Sequence, residues 1–477
     1  MRTLEQVIEQ HPFPLPAPLK GFMQLEQLQM QDIVKGAMWR RCLLDLPVGY
    51  GKTVIATAIS LMLEPETTVI LVPPILIVQW AQWLNSIAGT GSVVAYAGTP
   101  KQREELKVRG TRWLIMSYAI FRNDFERLQK ELNGREVLTI VDEAQALKGR
   151  GKLFGAVTQF TAGNRDLILM SGTIMSQPGD AYAYVKLNTP DIYRSYSMFE
   201  NIHVAERNIF KQVTKWQDLD LVQANLNVRR VKRTKEEVHA ALPKAIWTPI
   251  YYDLPSDHMK LYKRLMEEQL LLLDDGSKID ATTSTRLYHA AQQIITNYGY
   301  YAGDDTKRSA VFDLIDTVRD EIGLGDDGSS KLILWTIYKK TSAAVLASGN
   351  EYLARRKDGS YSVAAYGDAD SKKSIAAFLA DPRAVELTAQ PGSAGAGLNP
   401  QYVCWNSAFI EFPTTTVPFE QSAGRIDRKG QKYNPNQRLF IARGTIQERL
   451  LKSLFDNDSL VQQTAGTRQG IKNMIFP

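Results

Sequence analysis

Short, almost wholly apolar runs recur through the first third of the chain. Thr68-Val69-Ile70-Leu71-Val72, Trp113-Leu114-Ile115-Met116, Val137-Leu138-Thr139-Ile140-Val141 and Asp166-Leu167-Ile168-Leu169-Met170 each give way to polar or helical sequence. A strand that is apolar on both faces must be covered on both faces. Helices alternating with such strands supply the cover, so the pattern predicts a parallel sheet in an α/β core. The alternation returns late in the chain, with strands expected at Lys331–Trp335, Tyr361–Ala365, Ala384–Thr388, Tyr402–Trp405 and Arg438–Ala442. Between the two stretches the sequence reads as helical, charged and tyrosine-rich. Gly323-Leu324-Gly325-Asp326-Asp327-Gly328 looks like a boundary. The expected organisation is an α/β domain over 1–180, helical protrusions and a linker over 181–330, and a second α/β domain with a C-terminal tail over 331–477.

Composition excludes several classes. No apolar run reaches the roughly 18 residues a membrane span needs. Met1-Arg2-Thr3-Leu4-Glu5 has no apolar signal core, so a cytoplasmic protein is expected. The two cysteines, Cys42 and Cys404, stand far apart and read as buried small hydrophobes. The five histidines are scattered without zinc-ligand spacing. A net charge of +6 is compatible with a polyanionic partner and does not by itself identify one.

Chemistry concentrates at three places. Arg41-Cys42-Leu43-Leu44-Asp45-Leu46 runs as a strand into Pro47-Val48-Gly49-Tyr50-Gly51-Lys52-Thr53, and Val54–Ile59 continues as a helix. Strand, glycine loop and helix are what a phosphate cradle requires. Gly49, Tyr50 and Gly51 would wrap the phosphates, Lys52 would contact the β- and γ-phosphates, and the Thr53 hydroxyl would ligate magnesium. The first glycine of the usual phosphate-loop pattern falls on Leu46. Asp142 and Glu143 follow the apolar run Val137–Val141, hence the carboxyl end of a strand, where ligands bind in open α/β sheets. Asp142 is placed to hold magnesium and Glu143 to polarise the attacking water. Arg425 and Arg428 are three apart on an expected helix, so they share a face and could meet a γ-phosphate as arginine fingers. With phosphate loop and fingers in different α/β domains, hydrolysis would be coupled to closure of the gap between them.

This ordered set resembles the superfamily-two helicases and, within them, the SWI/SNF-type DNA translocases. The narrower likeness is carried by Val72-Pro73-Pro74-Ile75-Leu76-Ile77-Val78-Gln79-Trp80, Val94–Gly98 with Arg103, Ile115-Met116-Ser117-Tyr118, Ser171-Gly172-Thr173 and Arg229–Val238. Gly395-Ala396-Gly397-Leu398-Asn399, Gln421–Gln431 and Thr445-Ile446-Gln447-Glu448 complete it, so the likeness runs from about Leu25 to Leu454. It implies two RecA-like P-loop domains and an ATP-dependent motor on double-stranded DNA that remodels protein–DNA complexes or DNA branches. A strand-separating or branch-migrating helicase is the alternative.

By the same resemblance, Gln31 is the adenine-reading glutamine, with Gln24, Gln27 and Gln29 as neighbours, and Gly397 joins the nucleotide site. Gln79, Trp80, Ser117 and Tyr118 in the first domain, and Ser393 and Gly395 in the second, would face the DNA backbone. Trp80 could equally be core packing. The basic stretch Arg229–Lys235 could be a DNA patch or a solvated helix face. Gln145 stands where histidine is common, Ile174 where proline is usual, and Thr414–Pro418 replaces the usual Trp-Asn-Pro. ATP and magnesium are the implied cofactors, a DNA-bound protein is a candidate client, and a monomer is expected.

Overall fold

The computed structural model describes residues 27–47, 49–88, 91–163, 165–209, 211, 213–238, 243–268, 270–272, 278–280, 284–304, 306–326, 330–367, 370–391, 398–428 and 430–452. The chain divides into two compact units, with the division in sequence falling after residue 240.

The first unit is built on β1 (Arg41–Asp45), β2 (Thr67–Val72), β3 (Val93–Ala95), β4 (Trp113–Ser117), β5 (Val137–Asp142) and β6 (Asp166–Ser171). An antiparallel hairpin, β7 (Val204–Arg207) and β8 (Val213–Trp216), precedes the last strand of its sheet, β9 (Arg230–Lys232). The sheet order is β3-β4-β2-β5-β6-β1-β9, with every pairing parallel. Every residue of β2, β4, β5 and β6 is buried, as apolar strands between two helical layers must be. Alternation sends Val69 and Leu71 into the core on one face and Ile70 and Val72 into the core on the other.

The second unit carries β10 (Ile246–Tyr252), a small antiparallel pair, β11 (Leu270–Leu272) and β12 (Lys278–Asp280), then β13 (Leu332–Trp335), β14 (Tyr361–Ala365), β15 (Ala384–Ala389), β16 (Asn406–Phe409) and β17 (Asn436–Ala442). Its main sheet runs β10-β17-β16-β13-β15-β14, again with every pairing parallel. Leu332 and Leu334 face one core, Ile333 and Trp335 the other.

Two expectations are corrected. Residues 181–330 do not make a separate helical segment, because this stretch gives β9 to the first sheet and β10 to the second. Pro249 interrupts β10 and hides it in the sequence, and proline is tolerated there since β10 is an edge strand. The strand expected at Tyr402–Trp405 is displaced to β16. Pro400 opens a short 3-10 turn, and its carbonyl accepts the amides of Val403 and Cys404, both at 2.8 Å. The first two residues of β16 are polar but buried. Ser407 Oγ donates to Gln437 Oε1 at 2.5 Å and Asn406 Nδ2 to the Lys331 carbonyl at 3.4 Å, which satisfies them.

The basic stretch Arg229–Lys235 is also reassigned in part. Arg230 is wholly buried and pairs with Asp45 at the end of β1, while Arg233 Nη2 reaches Asp32 Oδ1 at 2.7 Å. These guanidiniums fasten β9 and the helix Gln27–Trp39 to the strand that leads into the glycine loop. Removing one member of such a pair strands a buried charge. Arg230→Ala is expected to cost about 3–5 kcal/mol in urea unfolding of the first unit; an unchanged midpoint would refute the anchoring role.

Candidate nucleotide site

β1, β6 and β5 are neighbours, so the segments leaving their carboxyl ends gather on one edge of the first sheet. After β1, Gly49 (φ 85°) and Gly51 (φ 95°) hold left-handed backbone that a side chain would strain. The helix Lys52–Leu63 then starts with no side-chain cap at Gly51, which leaves its first amides directed at whatever the loop cradles. Lys52 and Thr53 lie in its first turn. Lys52 Nζ donates to the carbonyls of Leu46 at 3.1 Å and Pro47 at 3.4 Å, folding back along the loop. Tyr50 is 2% exposed and its hydroxyl donates to Asp32 Oδ2 at 3.1 Å, so its side chain is committed to the core.

The glutamine assignment is divided by the structure. Gln29 is buried and its Nε2 donates to the Tyr50 carbonyl at 2.7 Å, supporting the loop from behind. Gln31 is half-buried and its Oε1 accepts from Arg233 Nη2 at 3.2 Å.

After β5 come Asp142 and Glu143. Asp142 is 6% exposed, and its Oδ2 accepts the Trp80 indole N–H at 2.9 Å. Burial, with the Glu143 charge adding to it, pushes its carboxyl up to about 6; the Trp80 hydrogen bond and the Lys52 charge pull the other way. A buried carboxylate whose ionised form is disfavoured is a site that a cation would stabilise. Glu143 holds a left-handed conformation, φ 52°, unusual for a residue with a side chain. Its Oε2 accepts from Gln145 Nε2 at 2.7 Å, and Gln145 Oε1 accepts from Ser171 Oγ at 2.7 Å. Ser171 Oγ also accepts the Thr173 amide at 3.0 Å. Ser171-Gly172-Thr173, at the end of β6, is thus wired to Glu143 through Gln145. Gln145, standing where histidine is common in the resemblance, does the linking with both ends of its amide.

The expected DNA-facing residues of this unit separate. Gln79 is exposed on the first turn of the helix Ile77–Ala88, beside the 60% exposed Val78. Trp80 is 2% exposed and committed to Asp142, so it does not present a surface to a phosphate. Ser117 is buried and caps the helix Tyr118–Glu131, accepting the Ile120 amide at 3.4 Å. The Tyr118 hydroxyl turns inward, donating to the Asp142 carbonyl and, at 3.3 Å, to the Glu143 carbonyl. Ser393, Gly395 and Gly397 lie outside the described residues.

In the second unit the helix expected to carry Arg425 and Arg428 ends at Ala423. Gln437 Nε2 takes the Ala423 carbonyl at 2.8 Å, and the Arg425 amide turns back to the Ser422 carbonyl at 3.1 Å. Both arginines therefore stand on the turn beyond the helix. They nonetheless converge on one loop. Arg425 Nη1 donates to the Leu398 carbonyl at 3.4 Å and Arg428 Nη1 to Asn399 Oδ1 at 2.7 Å. Burial lowers the proton affinity of the Arg428 guanidinium.

An uncapped helix after a glycine loop, a buried Asp142 followed by Glu143 two strands away, and two parallel sheets define the class: a P-loop protein with two RecA-like domains. The model of the SNF2-related domain matches residues 21–297, more than half of the chain, and the chain belongs to that family of helicase-like, ATP-using proteins. A protein of Mycoplasma genitalium described as an uncharacterized ATP-dependent helicase is 23% identical over 93% of this chain and 43% of its own length. The DNA annealing helicase and endonuclease ZRANB3 of Mus musculus is 24% identical over 91% of this chain and 40% of its own. The chain thus spans well under half the length of these relatives. The crystal structure of the Pyrococcus furiosus Hef helicase domain superposes with a TM-score of 0.53 at 16% identity, covering 90% of this chain and 99% of that one, a likeness of fold. Among the described residues no helix is long and apolar enough to cross a membrane.

Proposed function

We propose that this chain is a DNA-stimulated ATPase that moves along double-stranded DNA and remodels protein–DNA complexes or DNA branches. The observation that carries the reading is the buried Asp142, with Glu143 beside it, on the same sheet edge as Lys52 and the uncapped helix start. Lys52 would neutralise the β- and γ-phosphates. Thr53 and Asp142 would hold magnesium, Thr53 directly and Asp142 through water. Among the described residues no three His, Cys, Asp or Glu gather as a metal cage, which suits an ion whose remaining ligands are phosphates and waters. Glu143, oriented by Gln145, would align the attacking water. Arg425 and Arg428 would stabilise the charge that develops on the γ-phosphate. Exposed Gln79 offers an amide to the DNA backbone, a contact that is indifferent to sequence.

The family match and the helicase descriptions of both relatives support this reading. The second reading, favoured by the helicase descriptions of the relatives, is a strand-separating or branch-migrating helicase. ATP turnover over a panel of duplex, single-stranded, forked and RNA ligands tests both. Duplex DNA is expected to raise turnover about 10-fold or more, and the DNA affinity behind it to fall steeply between about 50 and 200 mM salt, because phosphate contacts release counterions. Stimulation by RNA with none by duplex DNA would overturn the substrate. Strand displacement on forked DNA would select the second reading.

A further inference from the structure

We propose that Trp80 and Tyr118 are positioning residues for hydrolysis: the indole N–H fixes the Asp142 carboxylate, and the phenol O–H fixes the peptide that joins Asp142 to Glu143. The inference rests on the reading of Asp142 and Glu143 as the hydrolytic pair. The two aromatic residues enter from different elements. Trp80 sits in the first turn of the helix after β2, and Tyr118 is the first residue of the helix after β4. The order β4-β2-β5 brings both helix starts to the carboxyl edge near the end of β5; Trp80 lies in the core on one face of the sheet and Tyr118 packs against the core on the other, so the two side chains reach the same dipeptide from opposite faces.

Their partners explain why two donors are needed. Asp142 Oδ1 accepts the Glu143 amide at 3.0 Å and Oδ2 accepts Trp80 Nε1 at 2.9 Å, which fixes the rotation of the carboxylate. A carboxylate oxygen has about two acceptor positions, so each keeps one for a metal-bound water. The Tyr118 hydroxyl bridges the carbonyls of Asp142 and Glu143, on either side of the left-handed Glu143 backbone. A conformation that side chains disfavour persists only where surrounding groups hold it, and this hydroxyl is one such group. Neither residue touches the reacting atoms. Both act through Asp142 and Glu143, as outer groups that orient metal ligands do.

Trp80→Phe and Tyr118→Phe remove the donors while keeping most of the apolar volume. Each is expected to lower kcat for DNA-stimulated ATP turnover about 10- to 100-fold, the usual effect of losing a group that orients a metal ligand. The readout that separates positioning from packing is equilibrium ADP binding with magnesium and with a chelator. Trp80→Phe should leave metal-free ADP affinity within about twofold of wild type and lose most of the extra affinity that magnesium confers, because only the metal ligand is disturbed. Equal weakening in both conditions would overturn the proposal in favour of a packing role, as would a wild-type kcat together with a wild-type magnesium effect. Should Trp80→Phe not fold, Tyr118→Phe, which deletes a single oxygen, carries the test through its kcat. If the wild-type protein itself hydrolyses no ATP, the hydrolytic reading falls; Phe variants that keep wild-type turnover in an active protein sink this inference alone.

Discussion

Lys52→Ala is expected to remove ATP turnover, by about 10³-fold or more with saturating duplex DNA, while the protein stays folded. Lys52 is the cationic side chain in the first turn of the uncapped helix, and its ammonium already lies against the loop carbonyls of Leu46 and Pro47. Without it, the negative charge that accumulates between the β- and γ-phosphates has only backbone amides to meet it. Fold is expected to survive because Lys52 is only half-buried, whereas the helix it begins is held by Ile55, Ala56, Ala58 and Ile59 in the core. Phosphate release and a thermal melt together make the measurement. A variant that melts normally and retains a tenth of wild-type turnover would refute the assignment of Lys52.

Glu143→Gln is expected to separate binding from hydrolysis. Turnover should fall about 10²–10⁴-fold, the range for loss of a positioned general base, with Mg·ATP affinity held or improved. The reason lies in the neighbouring carboxylate. The Glu143 charge helps to push Asp142 up to about 6. A neutral amide at 143 removes that contribution, so Asp142 ionises more readily and holds magnesium at least as well. Glutamine also preserves the side-chain shape against Gln145, whose Nε2 lies 2.7 Å from Glu143 Oε2. A single-turnover experiment with labelled ATP reads both effects. Weakened binding with an unchanged chemical step would exclude the water-orienting role.

Much of the fold was legible because the strands of a doubly covered parallel sheet are apolar on both faces. β2, β4, β5 and β6 appear within a residue of where the apolar runs predict them. The failures share a cause. β9 is basic, β10 contains Pro249, and β16 opens on Asn406 and Ser407, so none of them reads as an apolar run. Each is a strand because of a partner far away in sequence: Asp45 for Arg230, the edge of β17 for β10, and Gln437 for Ser407. In the same way, Arg425 and Arg428 were expected on a helix, which side chains from the following segment bring to an end.

The sequence by itself determined the chemistry on offer and its place on the sheet edge. Gly49, Gly51, Lys52, Thr53, Asp142 and Glu143 each sit where a short local pattern, strand then loop then helix, puts them. Tertiary structure alone decided which aromatic side chains serve the site. The resemblance puts Trp80 and Tyr118 against the DNA backbone, with core packing equally open for Trp80, and both residues stand at helix starts. Only the lateral order β4-β2-β5 turns them inward onto Asp142, and lateral order is fixed by long-range packing that local periodicity does not encode.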